Sequence, residues 1–171
     1  MKLNCDLGES FGAWSMPVES AIMAEIDQAN IACGFHAGDP LVMKQALFLA
    51  KTHGVAVGAH PSYPDLQGFG RRSMAIASDE LNAMLQYQVS ALSGMAALYG
   101  VNVTYVKPHG ALYNDMMKSA EVRRTVMQSI AEINASSTGA PLTLMVQATA
   151  QNAALKEEAK GWELPLYFEA F

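Results

Sequence analysis

Six short apolar segments alternate with longer segments of helical character, and this alternation constrains the fold of the chain more than any other feature. The predicted strands span residues 2–6, 29–34, 55–59, 103–107, 142–146 and 166–169. Strands that alternate with helices are typical of βαβ units, in which the strands lie parallel in one sheet. We therefore predict an α/β fold, with residues 1–171 forming a single domain.

Four of the intervening segments carry apolar residues at a spacing near 3.6, which predicts amphipathic helices. The first begins at Asp39, an N-cap residue followed by Pro40 at the first helical position, and ends at Gly54. The other three are predicted to begin at Ser78 and end at Gly100, to include residues 122–133, and to span about residues 149–161. Residues 7–20 and 61–77 lack periodicity, and long loops of this kind are usually functional.

Polar side chains recur at the carboxyl ends of the first four predicted strands. They are Asn4 and Asp6 at the end of the first strand with Glu9 just past it, His36 and Asp39 following the second, His60 following the third, and Lys107 at the end of the fourth with His109 just past it. In parallel α/β folds these ends face the ligand, so we expect the side chains to meet at one mouth. Small residues, Ala56 and Gly58, share a strand face with His60, which predicts space for a ligand beneath it.

This set of residues offers proton transfer and electrostatic stabilisation. No motif for a serine or cysteine nucleophile, a Walker-type phosphate loop or a dinucleotide-binding turn is present. Arg71 and Arg72 are candidates to bind a phosphate or carboxylate, or else they are solvated surface arginines. Histidine and carboxylate ligands from several strand ends could also hold Zn²⁺ or Mn²⁺, so the sequence leaves a divalent metal open.

Composition excludes several classes of protein. Hydrophobic residues make up 51% of the chain and charged residues 16%, which excludes a disordered chain. The 11 basic and 16 acidic residues give a net charge of −5, without the basic footprint of a nucleic-acid-binding protein. Because no apolar run approaches the roughly 18 residues of a membrane span, we expect a cytoplasmic protein that binds neither nucleic acid nor membrane.

The segments that carry these polar residues also carry a resemblance to a known family. They read LNCDLGESFG, ANIACGFHAGDP, GVAVGAHPSYPDLQGFGRR and VKPHGALYN, followed by GWELPLYFEAF. In this order they resemble the blocks of the LamB/YcsF family, the family of the 5-oxoprolinase A subunit, over the whole chain. The resemblance implies a TIM-like (β/α) barrel of the glycoside hydrolase/deacetylase superfamily. A closed barrel takes about 250 residues, so we expect an incomplete barrel, with an open curved sheet and without the C-terminal part of the family's domain.

The resemblance also implies a reaction and its partners. The reaction is the cleavage of 5-oxo-L-proline (pyroglutamate) to L-glutamate, coupled to hydrolysis of ATP to ADP and phosphate, and the partners are 5-oxoprolinase subunits B and C. Two alternatives stay open, a metal-dependent deacetylase or amidohydrolase and a non-catalytic subunit that binds pyroglutamate. The sequence also leaves homo-oligomerisation open.

Chemical roles follow if the implied reaction is applied to the matching motifs. Either Asp6 or Glu9 would act as the general base, and either His36 or His60 would shuttle the proton. Lys107 and His109 would stabilise negative charge on the lactam oxygen or on phosphate. The predicted substrate-binding residues are Asn4, Asp39, Arg71 and Arg72.

Overall fold

A computed structural model describes residues 2–16 and 19–170, and it contains one parallel sheet of six strands with helices packed against it. The strands are β1 (Asn4–Leu7), β2 (Gln28–Ala32), β3 (Ala56–His60), β4 (Val103–Val106), β5 (Thr143–Gln147) and β6 (Leu166–Glu169). Their order in the sheet follows the chain, and each neighbouring pair is parallel. The predicted α/β fold is therefore confirmed. The first and last residues of each predicted strand lie within two residues of those of an observed strand.

In the residues that the structure describes, six helices connect the strands. They are α1 (Glu19–Met23), α2 (Pro40–His53), α3 (Ser78–Leu98), α4 (Gly110–Lys118), α5 (Ala120–Ser136) and α6 (Asn152–Lys160). The four predicted helices correspond to α2, α3, α5 and α6. Neither α1 nor α4 was predicted, and the five residues of α1 are too few to establish a helical period. Across the part of the chain that the structure describes, no helix has the length and apolar character needed to cross a membrane.

Helix α2 forms as its sequence predicts. The Asp39 carboxylate accepts hydrogen bonds from the backbone N–H groups of Leu41 and Val42, and Pro40 occupies the first turn. Gly54 ends the helix in the left-handed conformation, at φ 69°. This helix connects β2 to β3 and lies between His36 and His60 in the chain.

Strong curvature of the sheet is shown by one ammonium group that contacts both of its edges. The Nζ atom of Lys107 lies 3.3 Å from an Asp6 oxygen, on β1, and 2.7 Å from a Glu169 oxygen, on β6. In a flat sheet, five strand spacings would separate these edges by about 24 Å. In the described residues β1 and β6 do not pair with each other, so the sheet is an open, curved half-barrel, as expected.

Candidate active site at the strand ends

Lys107 lies at the centre of a charged network at the carboxyl ends of the strands. Besides Asp6 and Glu169, its Nζ atom donates to Asn4 Oδ1 at 3.1 Å. Glu169 also accepts a hydrogen bond of 2.9 Å from the Tyr113 hydroxyl. Lys107 is buried, and three polar side chains surround its ammonium group. The network therefore ties β1 and β6 to the end of β4.

Asp6 is held in its ionised form. Burial opposes ionisation, but the hydrogen bond and charge of His60, the charge of Lys107 and a 2.8 Å hydrogen bond from Asn30 together outweigh it. The pKa of Asp6 therefore lies well below its usual range. A carboxylate this acidic binds and orients cations well but is a weak proton acceptor.

Four further side chains form a compact cluster beside Asp6. One oxygen of Glu9 and one ring nitrogen each of His36, His60 and His109 all lie within 4.8 Å of one another. The rings of His36 and His109 are stacked, with centroids 3.7 Å apart and planes 3° apart, whereas His60 approaches both edge-on. Burial, together with the charge of neighbouring histidines, lowers the pKa of His36 and of His109 to about 3 each. Both rings are therefore neutral near pH 7.

Two backbone carbonyl groups fix the orientation of the other ring nitrogens. His60 Nδ1 lies 2.6 Å from the Lys107 carbonyl oxygen, and His109 Nε2 lies 2.8 Å from the Phe69 carbonyl oxygen. A carbonyl oxygen only accepts, so these two nitrogens carry the ring protons. The remaining nitrogens, His60 Nε2 and His109 Nδ1, face each other at 3.0 Å.

Glu9 occupies a different environment from Asp6. Its Oε1 atom lies 2.9 Å from His36 Nε2, and His36 Nδ1 lies 3.0 Å from the Ser62 hydroxyl. That hydroxyl donates to the Tyr63 carbonyl oxygen at 2.9 Å. Burial raises the pKa of Glu9 and outweighs the charges of His60 and His109, which lower it. Glu9 is therefore the carboxylate in this cluster with the greater proton affinity.

The part of the predicted loop between residues 65 and 72 closes over the stacked histidines. The Asp65 carboxylate accepts a 2.9 Å hydrogen bond from the Gly68 N–H group and pairs with the Arg72 guanidinium group. Phe69 adopts φ 54°, which is uncommon for a bulky residue, and its carbonyl group orients His109. Gly70 passes so close to His109 that a Cβ atom there would lie 2.7 Å from the ring.

Among the four predicted substrate-binding residues, only Asn4 lies in the charged network. Asp39 uses both oxygens on backbone N–H groups, of Leu41 and Val42 in α2 and of Gly12. The Arg72 side chain holds the loop through Asp65. The Arg71 guanidinium group lies 5.7 Å from the Phe69 ring and is exposed, and its charge acts on Glu9. The contacts of Asp39 and Arg72 are structural, and a substrate-binding role for either stays a prediction.

Comparison with known proteins places these observations in a family. The sequence profile of the LamB/YcsF family matches residues 1–171. The chain belongs to the LamB/YcsF family. It is 52% identical over 169 residues to the 5-oxoprolinase A subunit 2 of Pseudomonas putida, covering 99% of this chain and 64% of that protein. It is 49% identical over 171 residues to the 5-oxoprolinase A subunit of Vibrio parahaemolyticus, covering 100% of this chain and 65% of that protein.

A solved structure agrees with the fold. The crystal structure of the lactam utilization protein from Thermus thermophilus is 42% identical, with a TM-score of 0.88. The match covers 99% of this chain and 66% of the other. This LamB/YcsF chain therefore spans about two thirds of the length of the proteins that it matches.

In this LamB/YcsF chain the space predicted beneath His60 is filled. A Cβ atom on Gly58 would lie 2.1 Å from the Tyr105 ring, so the small residue accommodates that ring. The Tyr105 hydroxyl donates a 2.6 Å hydrogen bond to Asn30 Oδ1. The prediction that small residues on β3 leave space for a ligand is therefore wrong. It failed because strand alternation identifies the inward face but not the side chain that crosses from the next strand.

Space for a small molecule is present between the two edges of the sheet. A groove of about 700 Å³ runs there, lined by Asn4 and Asp6 from β1, by Lys107, and by Tyr167 and Glu169 from β6. Its volume is in the range of small-molecule sites. Glu169 was not predicted as a site residue, although it stands at the end of a predicted strand. The strand-end rule would have found it if applied beyond the first four strands.

Proposed function

We propose that this chain is part of a 5-oxoprolinase A subunit whose strand-end cluster opens pyroglutamate to L-glutamate, coupled to ATP hydrolysis. One observation carries the proposal. The four segments that resemble the family place Asp6, Glu9, His36, His60, Lys107 and His109 side by side, in a chain 52% identical to a protein of that name. Shared identity of this kind supports shared chemistry at the site where those segments meet.

The proposed reaction has three steps, because the lactam is a stabilised amide that must first be activated. Transfer of the terminal phosphoryl group of ATP to the lactam oxygen turns that oxygen into a leaving group. Water then attacks the ring carbon and the C–N bond breaks, which leaves a γ-glutamyl phosphate. A second water hydrolyses this acyl phosphate, so the products are glutamate, ADP and phosphate, and two waters are consumed. The second step needs a base for the water proton and positive charge near the oxygen.

Glu9 is the better of the two candidate bases. Burial raises its pKa, whereas the pKa of Asp6 is held low by His60 and Lys107. His36 lies 2.9 Å from Glu9 and can pass the proton on. In this proposal Asp6 orients Lys107 and His60, Lys107 stabilises the oxygen from the wall of the groove, and His109 acts from the neighbouring histidine cluster.

ATP binding and the partners complete the proposal. The chain has no Walker-type loop, so we propose that subunits B and C supply much of the nucleotide site. The groove of about 700 Å³ is large enough for the lactam beside Lys107. A cytoplasmic location is part of the proposal, and a homo-oligomeric state stays open.

A reconstituted assay tests the proposed reaction. The protein is combined with subunits B and C, and the release of glutamate and phosphate from pyroglutamate is measured with and without ATP. We expect equal amounts of both products, and only with ATP. Absence of glutamate in the complete mixture would overturn the proposal.

A metal-dependent amidohydrolase or deacetylase is the second candidate, because the Glu9, His36, His60 and His109 cluster has the donor types of a metal site. That reaction would proceed without ATP, so the same assay distinguishes the two.

Binding of pyroglutamate with full turnover after Glu9→Gln would favour the remaining alternative, a non-catalytic binding subunit.

A further inference from the structure

Two ring nitrogens in the cluster face each other at 3.0 Å, and neither carries a proton when both rings are neutral. His60 donates its Nδ1 proton to the Lys107 carbonyl group, and His109 donates its Nε2 proton to the Phe69 carbonyl group. His60 Nε2 and His109 Nδ1 therefore present lone pairs to each other at 3.0 Å when both rings are neutral. Two buried lone pairs at this distance repel unless a cation lies between them.

The charges around the cluster also require a cation. Asp6, Glu9 and Glu169 contribute three carboxylates, whereas Lys107 is the ammonium group that contacts two of them. With all three ionised and the histidines neutral, two negative charges remain inside the mouth, and Arg71 is exposed at its rim. A divalent cation among the ring nitrogens would balance them.

We propose that His60 Nε2, His109 Nδ1 and the Glu9 carboxylate bind one divalent transition-metal ion of the zinc class. Zinc bonds of about 2.0–2.1 Å in a tetrahedron place ligand atoms about 3.4 Å apart. The His60–His109 separation is 3.0 Å and the His109–Glu9 separation is 3.6 Å. Imidazole and carboxylate together suit zinc and its neighbours in the first transition row.

The contacts behind the ligands support this assignment. A metal-binding histidine nearly always donates its other ring N–H group to a carbonyl or carboxylate oxygen, which fixes its tautomer. Both His60 and His109 do so, although their carbonyl acceptors come from different parts of the chain. The inference therefore does not depend on which reaction the site performs.

His36 has a supporting role in this site. Its ring lies parallel to that of His109 at 3.7 Å, so the two in-plane lone pairs cannot both point at one ion. It contacts Glu9 Oε1 at 2.9 Å instead and orients that carboxylate. Glu9 has two oxygens, so one can bind the ion while the other accepts a proton.

Metal titration tests the proposal directly. The protein is stripped with a chelator, and binding of Zn²⁺ is followed by calorimetry and that of Co²⁺ by its visible absorption. We expect one ion per chain, and binding weaker by about 100-fold or more in His60→Gln and in His109→Gln. His53→Gln is the matched control, because His53 is the exposed histidine near the end of α2, and its affinity should equal that of the unmodified protein.

Two results would overturn the proposal. One is absence of Zn²⁺ and Co²⁺ binding to the folded, stripped protein, which would leave protons as the cations of the cluster. The other is equal affinity in the His60→Gln, His109→Gln and His53→Gln variants. Circular dichroism confirms folding, and if His60→Gln unfolds through loss of its contact with Lys107, then His109→Gln and Glu9→Gln decide the question.

Discussion

At the scale of single residues, two carboxylic acids at the same strand end have opposite proton affinities. Asp6 is stabilised as an anion by His60, Lys107 and Asn30, whereas burial favours the protonated form of Glu9. The sequence could not separate them, because the partners of Asp6 come from β2, β3 and the end of β4. Pairs of acids with separated pKa values are typical of sites that carry out proton transfer.

Lys107 gives a prediction at this scale. Lys107→Met would leave Glu169, whose side chain is only 7% exposed, without its counter-charge. We expect the free energy of unfolding to fall by about 3–5 kcal/mol, as for other broken buried ion pairs. The double variant Lys107→Met with Glu169→Gln should lose less than the sum of the two single losses. Urea denaturation of all four proteins measures this, and strictly additive losses would contradict the network.

At the scale of secondary-structure elements, the sequence predicts strands and helices that have a clear apolar period. It does not predict very short helices or a side chain that crosses from one strand to the next. The strands and helices α2, α3, α5 and α6 were predictable from apolar spacing, and α2 also from its capping residues Asp39 and Gly54. Helix α1 was missed because it spans only five residues. The position of the Tyr105 ring over Gly58 was missed because it depends on the register between β3 and β4. The spacing of apolar residues along the chain does not show which side chains from neighbouring strands contact each other.

Gly58 and Gly94 form a matched pair of tests. Gly58→Ala places a Cβ atom against the Tyr105 ring, and we expect a loss of about 3 kcal/mol in the free energy of unfolding. Gly94 is exposed in α3 and has open space at its Cβ position, so Gly94→Ala should stabilise the protein by about 0.5–1 kcal/mol. Thermal and urea denaturation check both signs. Equal effects of the two variants would contradict the packing of Tyr105 on β3.

The stability that the Asp65–Arg72 pair gives to the loop over the histidines should depend on pH. The hydrogen bond from Arg72 is the main cause that lowers the pKa of Asp65, from 3.8 to about 2. Between these values the unfolded chain binds more protons at Asp65 than the folded chain does, so stability rises with pH there. The stability that Asp65 contributes should therefore be complete above about pH 4 and decline toward pH 2.

Denaturation of the Asp65→Asn variant across this pH range measures that contribution. The difference in unfolding free energy from the unmodified protein should shrink as pH falls from 4 to 2. Asp79→Asn, at an exposed position in the first turn of α3, controls for the loss of a surface carboxylate. A difference that grows toward low pH would contradict the role of the Asp65–Arg72 pair.

At the scale of the whole molecule, the order of the strands assembles the site. Because the strands follow one another in a curved parallel sheet, residues 163 positions apart in the chain, Asp6 and Glu169, meet at Lys107. The meeting of Asp6, Glu9 and the three histidines was predictable from strand ends alone. The loop contacts of Phe69 and Asp65 were not, because no periodic pattern governs residues in an irregular loop.

Turnover of the Glu9→Gln variant tests the central claim most directly, namely that the strand-end cluster opens the lactam with Glu9 as the base. The variant is assayed with subunits B and C, pyroglutamate and ATP, beside the unmodified protein and His53→Gln. We predict that kcat for glutamate release falls by about 10²–10⁴-fold in Glu9→Gln, with an unchanged melting temperature, and that His53→Gln retains full activity. Full activity of Glu9→Gln in the folded complex would contradict the account.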